Sequence, residues 1–383
     1  MNIPAEFDEI RPYAPEELPQ VFEELIADPM FKAVVENVMP GIPFDMIAAQ
    51  MRQCKTNLDF QKAFFYRLLK DLVQKCAKGL DFDCSALQDK SKNYTFISNH
   101  RDIVLDSAIL DLMLHEHHFP TTCEIAIGDN LLIYPWIKTL VKLNKAFTVK
   151  RGLSPRELME SSQRMSRYMH YAIQEKRENI WIAQREGRAK DSSDHTQESL
   201  LKMFAMAGEG SVIDRLKELC LVPLSISYEY DPCDYLKAQE FQQKRDNPSF
   251  KKSKQDDLDN MKIGIFGKKG RIHYEAMPCI NTWLDELSEL PKTEIFSEIA
   301  RRIDQQIHAG YSLFPGNYVA ADMLNGTSTY ARHYTEKERK VFETYLQSRI
   351  DLVEIANKDE NFLRERILTM YANPVFNKQN ALR

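Results

Sequence analysis

No apolar run in the chain approaches the roughly 18–20 residues that a membrane-spanning helix requires. Any bilayer contact is therefore expected to be peripheral. The N-terminus, Met1-Asn2-Ile3-Pro4-Ala5-Glu6-Phe7-Asp8, lacks the basic segment and apolar stretch of a secretory signal, so the mature chain is expected to start there. Seven cysteines, Cys54, Cys76, Cys84, Cys123, Cys220, Cys233 and Cys279, are scattered without paired metal spacing, which suits reduced thiols in a cytoplasmic protein. A basic excess is missing too. The net charge of −5 disfavours nucleic acid as a partner but leaves room for local basic patches. Neither an internal repeat nor a low-complexity tract is present.

What the chain does have is length and apolar content. Its 383 residues, 43% hydrophobic, supply a sizeable core for one large or two ordinary domains. Val21, Phe22, Leu25 and Ile26, then Phe31, Val34, Val35 and Val38, then Phe60, Phe64, Leu68, Leu72 and Cys76 fall at helical spacing. They predict a helical N-terminal region over 1–85, broken at Pro40-Gly41. Short apolar runs at 94–98, 124–127, 146–149, 179–184, 221–228 and 272–278 read as strands separated by helices. That alternation predicts an α/β core over 86–290, a mixed central sheet flanked by helices. Residues 131–141 read as a buried helix or as a membrane-interface element, because Trp136 and Tyr134 flank aliphatics. The lysine-rich residues 242–257 read as a solvated loop or exposed helix. A helical C-terminal region over 291–383 is expected, with helices near 294–308 and 335–357 and a loop over 311–325.

Residues 94–106 draw attention, because a short buried strand ends at the polar corner Asn99-His100-Arg101 and an apolar helix follows. A histidine at a strand's carboxyl end, with acids close behind, reads as a general base oriented by a carboxylate, or equally as a plain loop histidine. Asp102 and Asp106 are the candidate partners, and Asp102 has a second reading as the cap of the following helix. Further along, charged clusters again follow buried strands: Lys150-Arg151-Gly152, and Glu186-Gly187-Arg188. Taken alone, each reads as a solvated turn or as an anion site.

In their order along the chain, Asn99-His100-Arg101 with Asp106, Lys150-Arg151-Gly152, Glu186-Gly187-Arg188 and Val222-Pro223 resemble the four sequence blocks of the glycerophospholipid acyltransferases. The segments 147–151 and 222–229 are similar to the glycerol-3-phosphate acyltransferase branch. The resemblance covers roughly residues 90–280. It implies transfer of a fatty acyl group from coenzyme A or acyl-carrier protein to glycerol 3-phosphate or 1-acylglycerol 3-phosphate in phospholipid biosynthesis. His100 would be the general base and Asp106, or else Asp102, its orienting acid. Arg101, Lys150, Arg151, Glu186, Gly187, Arg188 and Pro223 would bind substrate. Neither a cofactor nor a metal is implied, and the enzyme would be cytoplasmic, at the inner face of the membrane. Two departures from the family pattern stand out. Leu105 holds the place of the family's aspartate, so that Asp106 needs a one-residue bulge, and Ala183-Gln184-Arg185 replaces an aromatic-proline lead. An acyltransferase of an amino-acid-derived lipid, or an inactive binding protein built on the same blocks, are the alternative readings. His195 is expected in a polar loop near the site. His115, His117 and His118 mimic zinc ligands, but no cysteine or acid has matching spacing, so a solvated helix end is expected.

Overall fold

Strands that are apolar on both faces need cover on both sides, and this chain supplies helices for each. A computed structural model describes residues 3–132 and 134–383; the expectations that fell on Met1, Asn2 and Ile133 lie outside them. Seven strands, β1 (Ala77–Asp83), β2 (Thr95–Ser98), β3 (Cys123–Gly128), β4 (Ala146–Val149), β5 (Asn179–Ala183), β6 (Leu221–Tyr228) and β7 (Gly270–Ala276), form one sheet in the order β1-β7-β6-β2-β5-β3-β4. β2 to β6 run parallel to one another, whereas β7 is antiparallel to β6 and β1 is parallel to β7. The mixed sheet flanked by helices is therefore as expected.

β2 sits at the centre because it is short and buried throughout, with Thr95 paired to both Ile180 and Leu221. On one face Ile97, Phe147 and Ile180 pack against the helices Pro155–Gln174 and Ile295–Ala309, through Tyr168, Met169, Ile299 and Ile303. On the other, Phe96, Trp181 and Val222 pack against Ile109, Leu110 and Met113 of the helix Leu105–Glu116, with Leu69 and Leu72 of the helix Tyr66–Cys76 alongside. Phe22, Phe31 and Phe60 centre a separate N-terminal helical cluster, and Phe342, Leu346, Leu363 and Tyr371 a C-terminal one.

Several elements differ from the sequence expectation. The helical region expected to reach residue 85 stops at Cys76, and Ala77–Asp83 is an edge strand. Phe82 alone among its side chains is buried, so the strand carries almost no apolar alternation to read. Residues 315–325 are a helix rather than a loop, because Pro315 stands in its first turn, where a missing N–H costs nothing. A last helix, Glu360–Ala381, was unforeseen, and the one before it ends at Asp351. Within 131–141, Pro135–Leu143 is helical, and Trp136 lies 6.4 Å from Phe31 of the N-terminal cluster. Helices Asp234–Asp246 and Lys254–Phe266 bracket the lysine-rich stretch. Among the described residues, no helix is long and apolar enough to cross a membrane.

A buried carboxyl ties the helix Leu105–Glu116 to the start of β3. Asp111 Oδ1 accepts the Cys123 N–H at 2.8 Å, and burial pushes the Asp111 pKa up to about 7 against that bond and the charge of Lys145. Its folded pKa thus lies above the unfolded value of about 4. The stability it contributes is complete below about pH 4 and is lost as pH rises through 7. Asp111→Asn should therefore flatten the pH dependence of urea-unfolding free energy between those limits; parallel profiles for the two proteins would rule this out.

Candidate active site

The corner after β2 is clamped before any chemistry is considered. The Asn99 side chain donates to the Ile226 carbonyl at 2.9 Å and accepts the Ile226 N–H at 2.8 Å, fastening the corner to β6. His100 follows, and the helix does not begin until Leu105. Asp102 Oδ1 accepts the N–H groups of Val104 and Leu105 at 2.9 and 2.8 Å, so Asp102 caps the turn. Gly264 lies so close to that carboxylate that a Cβ there would collide with it. Burial, and then the charge of Asp106, push the Asp102 carboxyl upward in pKa.

Asp106, in the first turn of the helix and wholly buried, faces His100 instead. Its Oδ2 lies 2.7 Å from His100 Nδ1 and accepts the N–H groups of Arg101 and Asp102 at 2.6 and 3.1 Å. Its Oδ1 accepts the Tyr228 hydroxyl at 3.0 Å. Burial, with Tyr274 and Asp106 nearby, holds the Tyr228 pKa well above the ordinary phenol value, so this hydroxyl stays a donor. Ringed by donors, the carboxylate is left as acceptor, which puts the hydrogen of the neutral imidazole on Nδ1 and leaves Nε2 as a base. The edge of the ring meets Trp181, whose Nε1 donates to Ser98 Oγ at 3.1 Å. The extra residue between His100 and Asp106 is taken up in the turn before Leu105.

His100 lines a cavity of about 1480 Å³. One part lies between the sheet and the helices beginning at Tyr66, Leu105 and Pro135, against Leu69, Leu72, Ile125, Ile127 and Leu140. It extends from the carboxyl ends of the parallel strands to Thr122 and Asn144, just before β3 and β4, a span of about 20 Å for a strand of this length. Its far end is polar: Thr122 donates to the Gln61 side chain at 2.6 Å, and Asp111 sits beside them. The mouth is cationic, with Lys150, Arg151, Arg185 and Arg188 in the lining.

Most of the residues singled out from sequence line this cavity: His100, Lys150, Arg151, Glu186, Gly187 and Arg188. Arg151 pairs with Glu186 at 2.9 Å, and Lys150 pairs with Glu9. Gly187 has φ of 68°, a left-handed conformation that glycine adopts without cost. Arg188 Nη2 donates to Asn260 of the helix Lys254–Phe266 at 3.2 Å. Two others are displaced from the expected role. Arg101 is buried away from the cavity lining, 2.6 Å from Asp194 and over the Tyr311 ring. Burial works against its charge, but Asp194 and Tyr311 outweigh that and raise its pKa. Pro223 is a buried residue of an interior strand, its carbonyl accepting Met277 N–H at 2.9 Å where the β6–β7 ladder ends. It does not line the cavity.

His195, expected near the site, is exposed beside Asp304 at 3.3 Å. Its segment is pinned: Asp194 takes bonds from Arg101 and the Tyr311 hydroxyl, and its carbonyl faces His308 Nε2 at 2.9 Å. His115 packs edge-on to Tyr66, while His117 Nδ1 is 3.5 Å from Cys84 Sγ. Asn99 and Tyr228 lie in segments that carry the resemblance but were given no role in the site, and Trp181 was read only as part of a strand. Tyr228 lies far from His100 in the chain, and only the pairing of β2 with β6 brings it near.

Residues 82–227 match the family model described as Acyltransferase. This segment, less than half of the chain, is similar to the acyltransferase family. The match spans all four blocks. Among solved structures, the 1-acyl-sn-glycerophosphate (LPA) acyltransferase PlsC from Thermotoga maritima is similar at a TM-score of 0.39 and 11% identity, over 78% of this chain and 100% of that one. A likeness of that size carries no argument about substrate. Comparison with curated proteins found no match.

The two aspartates of this segment should separate cleanly. Asp106→Asn is expected to lower turnover on the order of 10²–10⁴-fold by losing the ring's acceptor. Asp102→Ala is expected to cost about 0.5–2 kcal/mol of stability through the lost cap. Thermal unfolding and initial rates on both variants test this; a larger rate loss for the Asp102 variant would invert the assignment.

Proposed function

We propose that the protein transfers a fatty acyl group from an acyl thioester, of coenzyme A or acyl-carrier protein, to a hydroxyl of glycerol 3-phosphate or 1-acylglycerol 3-phosphate. The observation that carries this reading is the His100–Asp106 pair opening onto a long apolar cavity with a cationic mouth. His100 Nε2 takes the proton of the acceptor hydroxyl as its oxygen attacks the thioester carbonyl. The C–S bond then breaks, and the sulfur leaves as a thiol with the proton returned by the imidazolium. Asp106 holds the tautomer and stabilises the imidazolium while it lasts. The apolar channel suits the acyl chain, and Arg151 and Arg188 suit the acceptor's phosphate, since a guanidinium offers two parallel donors.

His100→Ala should lose on the order of 10²–10⁴ in rate while keeping its fold. Thiol release from an acyl thioester in the presence of glycerol 3-phosphate measures it, and full turnover by the folded variant would sink the mechanism. Arg151→Lys and Arg188→Lys keep charge but lose the planar fork, so KM for the phosphorylated acceptor should rise while donor hydrolysis holds. Normal use of glycerol 3-phosphate by both variants, or preference for an acceptor without phosphate, would count decisively against the assignment.

Peripheral membrane contact is part of the same proposal. Met30, Val34 and Val38 are exposed at four-residue spacing on the helix Pro29–Val38, and Val38 lines the cavity. An apolar stripe whose last residue reaches the cavity suits a lipid surface that delivers and receives acylated molecules. The protein should sediment with anionic liposomes at low salt, and Val34→Glu/Val38→Glu should weaken that; an active enzyme that never sediments would refute it.

A further inference from the structure

Beyond the cations that the acyltransferase blocks bring to the mouth, a second cationic group stands on the same cavity. Lys190, two residues past Arg188, lies 2.6 Å from Glu240 Oε1 of the helix Asp234–Asp246. Lys244, one turn along that helix, lies 2.8 Å from the same oxygen. Lys252, in the connection to the next helix, approaches Glu240 Oε2 at 3.0 Å and Asp257 at 4.0 Å. Three ammonium groups thus share one carboxylate that is only 3% exposed, and Asp257 stands at the outer limit of ion pairing. Glu240 neutralises one of the three. Burial holds the Lys190 ammonium below its ordinary pKa even though Glu240 works the other way. Lys190, Lys252 and Asp257 belong to the cavity lining, with Arg188.

An unbalanced group of this kind is unfavourable in an empty cleft, since like charges in a partly buried place repel with little screening. An incoming polyanion would relieve it. Lys190 and Lys252 are largely covered in the cavity wall and Lys244 is half-exposed, a placement that suits the phosphates of a small molecule better than the convex face of an acidic protein. It draws on the helix Asp234–Asp246 and the segment after it, whereas Lys150 and Arg151 follow β4 and pair with Glu9 and Glu186, and Arg188, assigned to the acceptor, bonds to Asn260 and not to Glu240. One anion site for the acceptor and a separate one for the donor's carrier would explain both.

We propose that Lys190, Lys244 and Lys252, gathered on Glu240, form a binding site for the phosphate groups of a nucleotide thioester donor, an acyl-coenzyme A, distinct from the acceptor's phosphate site. The inference rests on the acyltransferase reading for its biological sense, but the site itself can be read without turnover.

Adenosine 3′,5′-bisphosphate is the probe, titrated calorimetrically into the full chain. Lys244→Gln and Lys252→Gln are each expected to weaken its binding about five- to tenfold, the size of one partly exposed charge-assisted contact, with Lys→Arg at either position restoring it. The probe should compete with acyl-coenzyme A and not with glycerol 3-phosphate. In turnover, the ratio of kcat/KM for acyl-coenzyme A to that for a phosphate-free acyl-pantetheine should fall by a similar factor in the glutamine variants. Equal probe affinity in all forms, competition with glycerol 3-phosphate, or lysine sensitivity confined to acyl-carrier protein would each overturn the proposal. Probe binding that depends on these lysines in a protein without acyl transfer would keep the site and remove the reaction; acyl transfer from coenzyme A indifferent to them would do the reverse.

Discussion

The buried carboxylate of Asp106 is the point on which the site depends. A carboxylate without solvent is costly unless its lone pairs are occupied, and here they take the His100 ring, the N–H groups of Arg101 and Asp102, and the Tyr228 hydroxyl. Those donors come from three local geometries: the strand end, the turn, and the far strand of a parallel pair. Satisfying the charge therefore fixes the turn, the ring and the β2–β6 register together. The same bonds leave His100 Nε2 turned to the cavity, so that the stability of the corner and its reactivity have one cause.

Parallel topology places the rest. β2, β3, β4 and β5 all point their carboxyl ends at one side of the sheet, so the residues that follow them, His100, Asp129, Arg151 and Glu186, gather there although they are spread along the chain. The apolar part of the cavity exists because the helices Leu105–Glu116, Pro135–Leu143 and Tyr66–Cys76 stand off β3 and the edge strand β4 instead of packing closely on them. Long apolar space beside a polar corner is what a substrate with a fatty chain and a charged head requires. The C-terminal helices act at a distance: Tyr345 and Arg349 bond to Asp234, and the Tyr371 hydroxyl donates to Asp234 and accepts the Asp231 N–H in the loop after β6, holding the segment that carries Glu240.

The sequence by itself determined the α/β class, six of the seven strands, and the order of the charged corners, because buried strands with apolar residues on both faces stand out against their polar ends. It could not reveal β1, whose outward residues Lys78, Asp81 and Asp83 hide the period of two, nor the helix opened by Pro315. The choice between Asp102 and Asp106 belonged to the tertiary structure, since one extra residue can be absorbed in the turn or in the helix and spacing alone does not say which. So did the fates of Arg101 and Pro223: both sit inside family-like blocks, yet one is drawn into the core by Asp194 and the other lies inside a paired strand. The Lys190–Glu240 group and the Tyr228–Asp106 bond join residues 50 and 122 positions apart, and contacts of that separation arise only when the sheet brings their elements together.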